Sequence, residues 1–60
     1  MTEDKSIPPI LVIKAIRVWL GDKADKAIEE LKYDSLCDYW YLPNWNGMYV
    51  GIERDGYIHS

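Results

Sequence analysis

The chain has little of what small proteins use to reinforce themselves. Cys37 is the only cysteine in 60 residues, so no internal disulfide can form, and an unpaired thiol fits a reducing, cytoplasmic setting better than an oxidising one. With His59 as the only histidine, a closed zinc site of four cysteine and histidine ligands cannot be assembled within one chain. No metal and no cofactor are therefore expected. The four glycines (Gly21, Gly47, Gly51 and Gly56) are scattered and build neither a phosphate loop nor a dinucleotide fingerprint.

Positive charge is also scarce. Seven lysines and arginines stand against ten acids, a net charge of -3, which repels phosphate backbones on average and disfavours generic nucleic-acid binding. Long hydrophobic runs are missing too. The longest, Ile10 to Leu20, is broken by Lys14 and Arg17, and the acidic start Met1-Thr2-Glu3-Asp4-Lys5 is the reverse of a signal peptide. Residues 1–6 are expected to form a disordered tail on a single domain spanning residues 1–60.

What is present is the material of a core. Hydrophobic residues make up 48% and charged residues 28% of the chain, the balance of a folded domain. Its size makes that domain marginal, so support from a partner or a second copy has to be considered.

Composition changes near Tyr33: seven of the eight aromatic residues stand at or after it, and most helix formers before it. The first half predicts two helices. Ser6 is placed to cap the first, with Pro8 and Pro9 in its opening turn, and Gly21 stops it after Leu20. Apolar groups surround that helix except at Lys14 and Arg17, more than a two-layer monomer needs, so a homodimer through residues 10–20 is one expectation. Asp22 is read as the cap of a second helix whose buried stripe is Ala24, Ala27, Ile28 and Leu31, with Lys32 on its wet side.

The second half predicts strands. Asp38 to Leu42 is rich in aromatics suited to a pleated, half-buried surface, Pro43 is read as its end, and Tyr33 to Leu36 as a connection. Met48–Glu53 and Tyr57–Ser60 complete a three-stranded meander. A loop of Arg54, Asp55 and a left-handed Gly56 pairs Ile52 with Ile58. A five-residue loop from Pro43 to Gly47 pairs Leu42 with Met48 and Trp40 with Val50. The predicted fold is α+β: two N-terminal helices on a three-stranded antiparallel meander.

This register sorts the strands into an apolar face (Trp40, Leu42, Met48, Val50, Ile52 and Ile58) and an opposite face of Tyr39, Tyr41, Tyr49 and Tyr57, with Trp45 at the loop tip. Catalysis finds little support. Cys37 and His59 with Asp34 or Asp38 can be drawn as a nucleophile pair with an orienter, but one cysteine and one histidine co-occur by chance. Dividing acid and base work between Glu53 and Asp55 would need an enclosing pocket, for which a chain this short leaves little room.

Tyrosine and tryptophan supply large contact area at low entropy cost. The expected activity is therefore non-enzymatic protein binding, with Tyr39, Tyr41, Trp45 and Tyr49 as anchors and Asp34, Asp38, Glu53 and Asp55 meeting basic groups. The alternative is that these rings simply cover one another as cross-strand pairs. A small acidic binder suits occlusion of a basic groove in a nucleic-acid-handling host complex, the physical type of a phage-borne anti-CRISPR inhibitor. Its rival is a miniature winged-helix DNA-binding regulator, for which Lys14, Arg17, Lys23, Lys26 and Arg54 would have to converge.

Overall fold

The computed structural model describes residues 7–59. The expected tail, the Ser6 cap and Ser60 lie outside them. Helix α1 spans Ile10–Leu20 and α2 spans Ala24–Glu30, joined by a 3-10 turn over Gly21–Lys23. They are followed by β1 (Lys32–Asp34), β2 (Tyr39–Trp45), β3 (Met48–Glu53) and β4 (Ile58–His59). The strands form one antiparallel sheet in chain order. The fold is α+β, as expected, with a fourth strand that the three-stranded prediction lacked.

Pro9 stands at the N-cap of α1, so both prolines precede the helix instead of opening it, and its carbonyl accepts the N–H groups of Val12 and Ile13. Gly21 ends the helix at φ 58°, and its N–H donates to the Arg17 carbonyl. That left-handed position favours glycine over residues with a Cβ. Asp22 makes no side-chain cap to α2, which follows directly on the 3-10 turn. Instead Arg17 reaches over the junction to Asp25 at 3.2 Å. Leu31 has already left the helix, at φ -64° and ψ 134°, and Lys32 opens β1.

Val12 and Ile16 of α1 and Ala24 and Ala27 of α2 are buried against Trp40 and Leu42 of β2 and Val50 and Ile52 of β3. Full burial of a large apolar side chain contributes about 2 kcal/mol, so these residues carry the fold. Ile28, Leu31, Tyr33 and Ile58 pack half-buried around them. The alanines of α2 let its backbone approach the sheet closely.

The β3–β4 connection follows the expected register. Ile52 pairs with Ile58, Gly56 is left-handed at φ 94°, its N–H donates to the Glu53 carbonyl, and the Glu53 N–H donates to the Tyr57 carbonyl. The β2–β3 hairpin differs from the expected five-residue loop. Trp40 pairs with Ile52 and Leu42 with Val50, two residues away from the predicted partners, and Trp45 pairs with Met48 around Asn46-Gly47. Both turn residues have positive φ, 57° and 83°, the two-residue hairpin geometry whose twist matches that of the strands.

Between Leu42 and Trp45, β2 therefore carries one residue more than β3 does between Met48 and Val50. Pro43, expected to end the strand, falls within this bulge, where a missing N–H is tolerated. The bulge has one large consequence. Side chains alternate along a strand, so an extra residue turns everything beyond it to the opposite face. Trp45 lands on the helix side, and Met48 is half-exposed at the hairpin end instead of in the core.

Candidate protein-contact surface

The outer face of the sheet, away from the helices, is built from alternate residues of four strands. Lys32 and Asp34 of β1 pair with Tyr41 and Tyr39 of β2, which pair in turn with Gly51 and Glu53 of β3. Tyr49 and His59 continue the face at either side of Gly51. Three tyrosine rings form its centre: Tyr41 stacks on Tyr49 at 5.8 Å between centroids and 19° between planes, and lies 6.1 Å from Tyr39. The Tyr39 and Tyr49 hydroxyls are hydrogen-bonded to each other.

Gly51 makes this arrangement possible. A Cβ placed there would lie 3.0 Å from Cε2 of Tyr39, so the ring lies over bare backbone and buries the glycine. Covering an in-strand glycine with a cross-strand aromatic restores the packing that the glycine forfeits. The hydrogen bond to Tyr49, with desolvation as the second cause, pushes the Tyr39 phenol up to about 12. The rings thus hold one another in place, and Tyr49 remains 50% exposed.

The sequence-predicted anchors separate at this point. Tyr39, Tyr41 and Tyr49 are brought together. Trp45 is not with them: its ring lies 6.5 Å from that of Trp19, on the helix side and against the core. Tyr57 lies on the far side of the platform, largely exposed, in edge contact with His59 at 4.6 Å.

The four acids are each engaged locally. Asp34 accepts the backbone N–H groups of Leu36 and Cys37 and so shapes the β1–β2 turn. Asp55 accepts the N–H of Tyr57 in the β3–β4 turn. Glu53 is bonded to the His59 imidazole beside the tyrosines. Asp38, left-handed at φ 54°, receives a two-pronged contact from Arg54 at 3.0 and 2.6 Å and the Tyr33 hydroxyl at 2.7 Å. That hydrogen bond to the carboxylate raises the Tyr33 phenol above its ordinary range. Arg54 also lies 4.9 Å over the Trp40 ring, closing the end of the core.

Asp38, Glu53 and Asp55 line one open cleft together with Cys37, Tyr39, Arg54 and His59. Asp38 there faces Arg54 and Glu53 faces His59, while Asp55 is engaged by the Tyr57 N–H. The contacts of Arg54 with Asp38 and with the Trp40 ring were not foreseen from sequence, which placed this arginine only in the β3–β4 loop and among the basic residues of the winged-helix alternative. The signal available was an arginine next to a hairpin whose opposite strand begins with an acid.

Among the described residues, no cluster of three or more histidine, cysteine or acidic side chains is arranged to hold a metal ion, and no helix is long and apolar enough to cross a membrane. No protein-family model, curated protein or solved structure matches the chain, so it is the geometry of this face that bears on function.

Proposed function

We propose that the chain is a non-enzymatic protein-binding inhibitor or modulator that uses the outer sheet face, with Tyr39, Tyr41 and Tyr49 as its contact platform. The observation that carries this reading is the mutual locking of the three rings: hydroxyl to hydroxyl, ring on ring, and ring over Gly51. An aromatic surface that is already ordered loses little entropy when a partner covers it. Mutual contact also stabilises the sheet, yet the platform still leaves apolar and hydroxyl surface to solvent.

Because the four acids are held in local contacts, the rings are the principal anchors and the acids set the long-range field. A net charge of -3 favours approach to a basic surface, and the target class is a host complex that handles nucleic acid, its effector or nucleic-acid site being occluded. A phage-type inhibitor such as an anti-CRISPR protein is the corresponding biological setting. The winged-helix alternative has less to draw on, since Arg17 and Arg54 are committed to Asp25 and Asp38 and α2 exposes Asp25, Glu29 and Glu30 beside its one lysine, Lys26. The reading is tested by titrating the protein into a captured partner bound to its nucleic acid. Stoichiometric displacement is expected, and loss of displacement in a folded Tyr41→Ser/Tyr49→Ser variant; displacement undiminished in that variant would refute the assignment.

A further inference from the structure

The opposite side of the molecule has an unpartnered surface of a different kind. Leu11, Ala15 and Val18 stand at i, i+4 and i+7 of α1 and form one ridge. Leu11 is 52% and Val18 89% exposed. Between this ridge and the β3–β4 turn runs a shallow, mostly apolar groove of about 460 Å³. Its floor is low because Gly56 rests directly on the helix: a Cβ there would lie 2.9 Å from the Leu11 carbonyl oxygen and 3.5 Å from Cβ of Ala15.

Two charges line this groove, Lys14 from the helix and Asp55 from the turn. Neither contributes to an ion pair among the described residues. One cation and one anion on opposite walls make the surface self-complementary, because a two-fold axis exchanges the walls and sets each Lys14 against the Asp55 of the other copy. A basic partner would leave Lys14 opposed, and an acidic partner would leave Asp55 opposed. The small residues Ala15 and Gly56 provide the hollow that a projecting side chain of the second copy needs, and Val18 is the most exposed apolar side chain of the helix.

We infer that a second copy of this chain docks here, giving a two-fold homodimer in which Val18 of each copy enters the Ala15–Gly56 hollow of the other and two reciprocal Lys14–Asp55 pairs flank the seam. Because α1 packs on the inner face of the sheet, both tyrosine platforms remain open in the dimer. The inference does not depend on the platform having a partner. The contact is confined to one three-turn helix and one turn, so association is weak, with a midpoint in roughly the micromolar to millimolar range.

Sedimentation equilibrium of the full chain across that range tests it, with thermal melts confirming that each variant folds. The wild type is expected to pass from monomer to dimer. Val18→Glu, at an exposed site that the fold does not use, is expected to weaken association at least about a hundredfold by placing two carboxylates in the apolar hollows. Lys14→Glu is expected to weaken it roughly tenfold, and Lys14→Glu/Asp55→Lys to restore most of the loss, since the reciprocal pairs are re-formed with their signs exchanged. Tyr49→Ser is expected to leave it unchanged. A wild type that stays monomeric to millimolar concentration, a dimer that survives Val18→Glu, or a dimer abolished by Tyr49→Ser would each overturn the proposal.

Discussion

The two faces of one sheet solve opposite problems with alternate residues of the same strands. On the inner face, Trp40, Leu42, Val50 and Ile52 are covered by α1 and α2 and have no further surface to offer. On the outer face, Tyr39, Tyr41 and Tyr49 pack against one another and over Gly51. What separates them is the hydroxyl group: a tyrosine ring can rest against an aromatic neighbour while its oxygen bonds at the wet edge. The inner face holds the domain together, and the outer face is left as an ordered surface.

This contrast ranks the effects of substitution. Trp40→Ala removes the largest buried side chain and is expected to cost about 3–5 kcal/mol. Stability of a domain this size is about 3–9 kcal/mol, so a thermal melt should show severe destabilisation or no cooperative transition. A well-behaved melt near that of the wild type would mean that the helices do not depend on the sheet's inner face.

Gly56→Ala comes next. It combines a φ of 94° with a 2.9 Å approach to the Leu11 carbonyl, and the strain is expected to lower stability by about 1–3 kcal/mol. Gly51→Ala meets side-chain rings and not backbone, Tyr39 at 3.0 Å and Tyr49 at 4.0 Å, so a smaller loss of about 1 kcal/mol is expected, accompanied by a changed tyrosine near-ultraviolet signal. Were Gly51→Ala the more damaging of the two, the outer face would be carrying the fold.

Tyr49→Phe sharpens the comparison without removing a ring. The Tyr39 phenol, pushed up to about 12 chiefly by its hydrogen bond to Tyr49, is expected to titrate at lower pH in this variant, as followed by phenolate absorbance. A raised phenol means that the folded state holds its proton more tightly than the unfolded chain. The associated stability is therefore complete below about pH 10, the ordinary tyrosine value, and is lost as pH rises through about 12. Tyr49→Phe should flatten that decline. The smallest effect is expected from Arg17→Ala, whose partner Asp25 is mostly exposed; its melting temperature should stay within error of the wild type.

Much of the architecture was legible because it rests on local chemistry. Gly21 stops α1 and Arg54-Asp55-Gly56 forms a bulged loop for reasons contained in a few neighbouring residues. β1 was not legible: Lys32-Tyr33-Asp34 is too short for alternation to stand out, and it is held by pairing with β2.

The β2–β3 register failed for a different reason. Pairings that differ by two residues put the same side chains on the same face, so matching apolar groups selected the correct face with the wrong partners. The Asn46-Gly47 dipeptide was the signal that would have distinguished them. It would also have required a bulge near Pro43, and with that bulge Trp45 belongs with Trp19 and not with the tyrosines. Of the four expected aromatic anchors, three are assembled on one face; Asp34 and Asp55 each accept a backbone N–H within their own turn, whereas the partners of Asp38 and Glu53 come from contacts that sequence spacing does not reveal.

The most direct test of the division between the faces is affinity capture from host lysate with tagged wild-type protein beside the Tyr41→Ser/Tyr49→Ser variant, both shown by melting to be folded. The wild type is expected to retain a basic nucleic-acid-handling complex, and the variant, with an unchanged core, is expected not to. Equal retention of the same complex by both proteins would contradict it, as would loss of folding in the variant, because the tyrosines would then belong to the structure and not to its contact surface.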